Sequence, residues 1–187
     1  MKKKSLLKIT LFFKFIKVLI LAFVFIPQSF SKDKFSKNKK EIIGSIERQK
    51  DRLIEISDKI WEAAETSLQE FKSSKYLSDY AEENGFTVER GVADIPTAFT
   101  ATYGSGRPYI GIMGEYDANA GISQKRQPTK ETRIKGGAGH GCGHNLFGTA
   151  SLGAAIAIKE LIEKGEISGT VIFFGTPAEE TIFAKVW

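Results

Sequence analysis

Two short segments constrain the fold more than any other part of the sequence, because each is apolar without interruption and each is followed by acidic residues. The segments are Tyr109–Gly114 (YIGIMG) and Gly169–Gly175 (GTVIFFG). Strands that are apolar on both faces are typical of a sheet buried between helices, so we predict that Tyr109–Gly114 is a central strand. Between the two segments, residues 145–164 carry an apolar stripe with helical spacing, for which Asn145 is the predicted N-cap and Gly165 the stop. This order predicts an α/β fold in which a central sheet is flanked by helices.

Four further elements are predicted before these segments. Apolar residues recur with helical spacing in two stretches and alternate in two shorter ones, which indicates two helices and two strands. In chain order these are residues 41–65, 67–84, 86–90 and 97–103. Gly85 is the predicted stop of the second helix, and the polar, proline-containing residues 123–135 are predicted to form a surface loop.

The N-terminus has the pattern of an export signal. A lysine-rich start is followed by an apolar run at residues 18–27 and by small residues at Ser29 and Ser31. This pattern predicts a signal peptide over residues 1–31, cleaved after Ser31, and hence a periplasmic or secreted protein. The apolar run is shorter than the roughly 20 residues that a membrane span needs. The alternative is an uncleaved anchor, which would make the chain a membrane-anchored binding module.

Charge is distributed unevenly along the chain. The first forty residues contain eleven lysines and a single acid, Asp33, so they carry a net charge of +10. The whole chain carries +5, so the remaining residues carry a net charge of −5. A mildly acidic domain does not show the excess of basic residues that is typical of nucleic-acid-binding proteins. The lysine-rich residues 32–40 are predicted to form a solvated linker, with the domain beginning at residue 41.

The glycine-rich segment 140–144 (HGCGH) contains the only cysteine of the chain and both of its histidines. A lone thiol in an exported protein has no internal disulfide partner, so its presence needs another explanation. Thiolate and imidazole are both zinc ligands, and residues two apart in an extended segment point the same way, so Cys142 and His144 are predicted to bind one metal ion. The alternatives are an ordinary glycine-rich turn, a Cys–His nucleophile pair, and a phosphate-binding loop, which the lack of a Gly-Lys-Ser/Thr sequence disfavours.

Acidic residues follow both apolar segments. Glu179 and Glu180 come after the second, where neighbouring side chains near a strand end are expected to point to opposite sides. One carboxylate can then bind a cation while the other accepts a proton from a water. Glu115 and Asp117 follow the first segment and offer a carboxylate that orients a ligand or the base. Each pair alone is typical of a solvated loop, but the coincidence of all these groups at strand ends and at a helix start predicts a catalytic metal site.

Three motifs in this order resemble a known family. They are GEYDA at residues 114–118, GAGHGCGHNLFG at residues 137–148 and GTPAEE at residues 175–180. With them, residues 41–180 resemble the metallopeptidase and amidohydrolase family of aminoacylases, hippurate hydrolases and indoleacetyl-amino acid hydrolases. The resemblance implies a zinc-peptidase-like catalytic domain with an inserted dimerising lid domain. It also implies hydrolysis of the amide bond of an N-acyl or N-aroyl amino acid, such as p-aminobenzoyl-glutamate.

The resemblance further implies a role for individual residues. Cys142, His144 and Glu180 match metal ligands, and Glu179 matches the general base that activates water. Glu115 matches an acidic residue, usually aspartate, that steadies the site. The metals of the family are zinc or manganese, usually as a pair of ions.

The sequence also departs from the family pattern. Residues 117–120 read DANA where relatives usually have DALP, and residues 181–184 read TIFA where a glycine run commonly follows. The family has two further histidine ligands and the lid beyond this point, and His140 matches a position that is not normally a ligand. We therefore expect residues 41–187 to be the N-terminal part of a longer catalytic domain, truncated on its C-terminal side.

The expected partners follow from the same resemblance. The full-length protein is expected to act on a small-molecule substrate and to form a homodimer or a hetero-oligomer through the lid. Neither nucleic acid nor a stable membrane association after cleavage is expected. The alternative to an active amidohydrolase is a truncated, catalytically inactive remnant that needs a partner half.

We predict that the exported protein begins at Lys32. Removal of residues 1–31 should be visible by N-terminal sequencing of material recovered from the exported fraction. Replacing Ser29 and Ser31 by leucine removes the small residues of the cleavage site and should leave the full chain uncut. An intact Met1 on the native exported chain would instead support the anchor.

Overall fold

Residues 36–186 are described by a computed structural model of the chain. In chain order they form α1 (Lys37–Ala63), α2 (Phe71–Glu83), β1 (Thr87–Arg90), β2 (Phe99–Ser105), β3 (Tyr109–Gly114), α3 (His144–Glu163), β4 (Gly169–Gly175) and α4 (Glu179–Ile182). Two 3-10 turns cover Val92–Asp94 and Ala184–Val186. The predicted signal peptide and the first part of the predicted linker, residues 32–35, lie outside the described residues, so both stay predictions.

Side-chain caps set the starts of the first two helices. Helix α1 begins at Lys37, because the Ser36 hydroxyl accepts a backbone N–H of its first turn at 3.3 Å. Residues 37–40, which we assigned to the linker, therefore lie in the first turn of α1. Helix α2 begins at Phe71, four residues later than predicted. There the Glu65 carboxylate accepts two backbone N–H groups of the first turn at 2.9 and 3.0 Å.

Helix α3 begins at His144, and Gly143 before it has a left-handed backbone conformation (φ 87°). The prediction that Asn145 is the N-cap of this helix was wrong. Asn145 lies inside the first turn, where its Nδ2 donates to the Ser57 Oγ of α1 at 3.0 Å and so joins the two helices. Within residues 36–186, α3 is the one helix long and apolar enough to cross a membrane, and half of that stretch is buried in the domain. Such burial is expected of a core helix.

The strands form one mixed sheet in the order β1-β2-β4-β3. Strand β2 pairs antiparallel with both β1 and β4, whereas β3 pairs parallel with β4. The prediction that β3 is central was wrong for the described part of the chain, where β3 lies at one edge of the sheet. Its residues Tyr109, Ile110 and Met113 are 58%, 45% and 50% exposed. A continuous run of apolar residues correctly predicted that this segment is a strand. Such a run does not determine which strands lie beside it in the sheet.

One hydrophobic core joins the sheet to the helices. Helices α2 and α3 pack against the sheet, and α1 packs against both of these helices. The largest fully buried apolar side chains of this core are Ile56, Ile60, Leu77, Phe99, Tyr116, Leu152, Ile156, Val171 and Phe173. The predicted α/β fold with a sheet flanked by helices is confirmed.

Gly148 allows α3 to lie directly against the end of β3. A Cβ atom at Gly148 would lie only 2.4 Å from the carbonyl oxygen of Glu115 and 3.4 Å from Leu77 Cδ1. Only a residue without a side chain permits such an approach of two backbones. This contact brings His144, one turn earlier in α3, beside the residues that follow β3.

We predict that Gly148→Ala destabilises the protein by about 1–3 kcal/mol, because the added methyl group must push α3 away from β3. Gly44→Ala in α1 is the matched control, since its Cβ would meet only the Arg48 side chain, at 3.4 Å. Alanine should raise stability there by roughly 0.5–1 kcal/mol. Chemical denaturation measures both changes, and equal stability of the two variants would contradict the packing described here.

Candidate metal centre

The five predicted site residues come together in the structure from three separate segments. Glu115 follows β3, Cys142 and His144 lie at the start of α3, and Glu179 and Glu180 open α4. Their side chains form two groups of three, and in each group the donor atoms lie within 4.8 Å of one another. Cys142, His144 and Glu180 make up the first group, and Glu115, His144 and Glu179 the second. His144 therefore lies between two candidate ligand sets.

Cys142 and His144 reach the site through a bend, and not through the extended segment that we predicted. The left-handed Gly143 turns the chain between them, so that His144 already belongs to α3. The Cys142 N–H donates to Asn119 Oδ1 at 3.1 Å, and its Sγ donates to the carbonyl oxygen of Asp117 at 3.7 Å. These contacts fix the glycine-rich loop to the segment that follows β3.

The segment after β3 places two carboxylates by burying the residue between them. Tyr116 is fully buried, and its hydroxyl donates to the carbonyl oxygen of Thr97 at 2.5 Å. Because side chains two apart in an extended chain point the same way, Glu115 and Asp117 both face α3, on the side opposite to Tyr116. Both carboxylates contact the His144 ring.

The turn after β4 also differs from the prediction. We expected Glu179 and Glu180 to lie on an extended strand end, but β4 stops at Gly175 and Ala178 has a left-handed conformation (φ 57°). The two glutamates form the first turn of α4. They still approach opposite sides of the His144 ring, since Glu179 Oε2 lies 3.9 Å from Nε2 and Glu180 Oε1 lies 3.8 Å from Nδ1.

Asp117 orients the imidazole. The sequence indicated that Glu115 or Asp117 offers an orienting carboxylate, but only Glu115 was assigned to the site. Asp117 is fully buried, and its Oδ1 lies 2.9 Å from His144 Nδ1. Its Oδ2 accepts the backbone N–H of Glu180 at 2.8 Å. The other ring nitrogen, Nε2, faces Glu115 Oε2 at 3.0 Å. The i, i+2 spacing of the two acids in GEYDA was the signal that could have identified Asp117.

The electrostatics of the site favour a positive charge at its centre. Burial opposes the charged form of His144, but the hydrogen bond to Asp117 and the nearby carboxylates outweigh it and raise its pKa above the ordinary value. Burial also acts on Asp117, yet its hydrogen bonds with His144 and with the Glu180 amide lower its pKa overall. Burial and the neighbouring Glu180 raise the pKa of the Cys142 thiol to about 11.

Lys185 balances part of the remaining negative charge. Its Nζ lies 2.6 Å from Glu115 Oε1 and 3.1 Å from Glu179 Oε1. Lys185 was not predicted as a site residue, since a single lysine after an acidic pair carries no specific signal. Both carboxylates of the second ligand group, Glu115 and Glu179, therefore also form ion pairs with the Lys185 ammonium group.

His140 belongs to neither group. Its Nε2 lies 3.1 Å from the carbonyl oxygen of Ile60, at the end of α1, and its buried Nδ1 has no partner within the described residues.

The donor set fits a divalent metal ion better than the alternatives considered from the sequence. Thiolate, imidazole and carboxylate are the usual ligands of zinc, and carboxylates suit manganese. The nucleophile pair is disfavoured because Cys142 Sγ donates to a backbone carbonyl, and because a thiol with a pKa of about 11 is protonated at neutral pH. Metal coordination would reverse that protonation, since it deprotonates a thiol outright.

Comparison with known proteins agrees with this chemistry. Residues 111–184 match the sequence profile of peptidase family M20/M25/M40. The chain is 49% identical over 139 residues to a subunit of the p-aminobenzoyl-glutamate hydrolase of Escherichia coli, covering 73% of this chain and 28% of that protein. It is 31% identical over 131 residues to IAA-amino acid hydrolase ILR1-like 5 of Arabidopsis thaliana, covering 70% of this chain and 29% of that protein.

A solved structure shows the same fold. The YXEP protein of Bacillus subtilis, a dinuclear metal binding peptidase from the M20 family, superposes with a TM-score of 0.58 at 29% identity. The match covers 69% of this chain and 35% of that one. The chain thus spans 28–35% of the length of these three proteins. Matching motifs and a matching fold together show that the chain belongs to peptidase family M20/M25/M40.

Proposed function

We propose that this protein acts as a metal-dependent amidohydrolase that cleaves the amide bond of an N-acyl or N-aroyl amino acid. The observation that carries the proposal is the convergence of thiol, imidazole and carboxylates from three segments, with donor atoms within 4.8 Å in each group. The 49% identity to a relative named as part of a p-aminobenzoyl-glutamate hydrolase supports p-aminobenzoyl-glutamate as the substrate to test first.

Cys142, His144 and Glu180 are the proposed metal ligands. The Asp117 carboxylate contacts Nδ1 of His144, as outer carboxylates commonly do for metal-binding histidines, while Nε2 faces Glu115 and Glu179, the carboxylates of the second group. Zinc and manganese are the proposed ions. A pair of ions is supported by the second group around the same histidine and by the similarity to a dinuclear metal binding peptidase.

Glu179 is the proposed general base. A divalent cation, when bound, supplies charge that polarises the amide carbonyl and lowers the pKa of a water. The Glu179 carboxylate is 19% exposed, so it is desolvated but still accessible to a water and a substrate. It accepts a proton from the attacking water and returns that proton to the nitrogen of the leaving amine. Glu115 steadies the site, because one of its oxygens faces His144 and the other accepts from Lys185.

The cellular setting is proposed from the sequence. We propose an exported protein with a cleaved N-terminal signal, and an assembly that is either a homodimer or a hetero-oligomer. A hetero-oligomer is supported by the Escherichia coli relative, whose name describes it as one subunit of its enzyme. Size measurement of the exported material, alone and with co-purifying chains, tests both forms.

We predict that Glu179→Gln lowers the turnover of p-aminobenzoyl-glutamate by about 10²- to 10⁴-fold, the usual effect of losing a general base. Metal content by mass spectrometry should stay unchanged, because Glu179 is not among the three proposed ligands. Glu163→Gln, an exposed change at the end of α3, is the control and should leave turnover unaffected. Loss of metal from Glu179→Gln would contradict the base role, and a native chain that binds metal without turnover would favour the inactive remnant.

We predict that cobalt(II), as a probe of the site, gives a thiolate-to-metal absorption band in the native protein. Cys142→Ser should abolish the band, because it removes the sulfur ligand. His140→Gln is the matched control, since His140 is two residues from Cys142 and belongs to neither ligand group, and its Nε2 contacts the carbonyl oxygen of Ile60 at the end of α1. A band that survives in Cys142→Ser would remove Cys142 from the ligand set.

A further inference from the structure

Glu70 is a fully buried carboxylate behind the site, and none of the roles above uses it. Its Oε2 accepts the Thr97 hydroxyl at 3.0 Å, and its Oε1 accepts the backbone N–H of Ala178 at 2.9 Å. Glu70 therefore connects the start of α2 and the segment before β2 with the turn that precedes Glu179 and Glu180.

Capping of α2 does not explain this carboxylate. Glu70 occupies the N-cap position, but its side chain makes no capping hydrogen bond to the helix. Burying a carboxylate costs free energy unless its oxygens accept hydrogen bonds. Burial raises the pKa of Glu70, and the hydrogen bonds that its carboxylate accepts lower the pKa by less. The side chain is thus directed away from its own helix and towards Ala178.

Ala178 is the residue that needs this support. It is fully buried and left-handed (φ 57°, ψ 35°), a conformation that is unfavourable for any residue with a Cβ atom. Its N–H would be a buried donor without the Glu70 carboxylate. Two residues later, the N–H of Glu180 donates to Asp117 Oδ2 at 2.8 Å. Two buried carboxylates from different elements therefore hold two amides of the same turn.

We propose that Glu70 is a positioning residue for the candidate metal centre. Its carboxylate holds Ala178 in the left-handed conformation and thereby fixes the direction in which the Glu179 and Glu180 side chains enter the site. The expected effect on metal affinity rests on the proposed function. The expected effect on the backbone of the turn does not.

Two substitutions separate positioning from general stability. Glu70→Gln keeps the volume of the side chain but removes its charge, so that Ala178 donates to a neutral amide oxygen and the amide NH2 has to donate to the Thr97 hydroxyl, which becomes the acceptor. Thr97→Val is the matched control, because it removes the other hydrogen bond of the same carboxylate and keeps the one from Ala178. Glu70→Gln replaces a charged acceptor by a neutral one and Thr97→Val removes a buried hydrogen bond, so thermal denaturation should show a loss of stability for each.

Two readouts then distinguish the variants. In metal-free protein, hydrogen exchange over residues 176–182 should be about tenfold faster in Glu70→Gln, because the acceptor of the Ala178 N–H changes from a charged to a neutral oxygen and hydrogen bonds to charged groups are the stronger ones. Cobalt(II) titration should show an affinity reduced by about 10- to 100-fold, the usual effect of removing an outer partner of a metal site. Thr97→Val should match the native protein in both measurements.

The outcomes are distinguishable. Native exchange rates and native cobalt affinity in Glu70→Gln overturn the inference, and so does an equal loss in Thr97→Val, which would show general destabilisation. A native protein that binds no cobalt refutes the proposed metal site, while the exchange rates still decide whether Glu70 holds the turn.

A third substitution covers the case in which Glu70→Gln does not fold. Glycine adopts the left-handed conformation without strain, so Ala178→Gly should recover part of the lost cobalt affinity when combined with Glu70→Gln. The double variant is then compared with Ala178→Gly alone. A double variant that folds but still binds cobalt about 10- to 100-fold more weakly than Ala178→Gly alone would overturn the claim that Glu70 acts by holding Ala178 in the left-handed conformation.

Discussion

The hydrogen bond between the buried Asp117 carboxylate and the His144 ring, at 2.9 Å, is the interaction on which the candidate metal centre depends. Asp117 also accepts the N–H of Glu180 at its other carboxylate oxygen and the Cys142 thiol at its backbone carbonyl. One residue at the end of β3 therefore contacts all three members of the first ligand group. Because Gly148 lets α3 lie directly against that end, the orientation of the ligands depends on how the helix packs on the sheet.

The negative charge of the centre makes it suited to a cation. Glu115, Asp117, Glu179 and Glu180 surround a single imidazole, and close carboxylates repel one another. His144, Lys185 and backbone N–H groups offset part of this repulsion in the polypeptide itself. A divalent ion would offset more of it, so metal binding and the stability of these loops should be coupled. The buried Glu70 carboxylate accepts the N–H of Ala178 and so holds the turn before Glu179 in place.

Much of the fold and of the candidate site could be predicted from the sequence. The bounds of β3 and β4 coincide with the two apolar segments, and all five predicted site residues lie together. Their local backbone differs from the prediction, because Cys142 lies on a bend and the two glutamates begin a helix instead of ending a strand. The sequence did not decide between Glu115 and Asp117 as the orienting carboxylate and gave no indication of Glu70, because the buried partners of Asp117 and Glu70 lie 27 and 108 positions away in the chain.

The sequence by itself determined the chemical groups, the α/β class and the strand segments, since residue type and periodicity are local properties. It also determined family membership through the order of three motifs. Only the tertiary structure decided that β3 lies at an edge of the described sheet, that Asp117 orients His144, and that a buried carboxylate supports a left-handed Ala178. These features depend on contacts between segments that are distant in the chain. Hydrogen bonds between such segments produce no periodic pattern in the sequence, so the sequence alone does not reveal them.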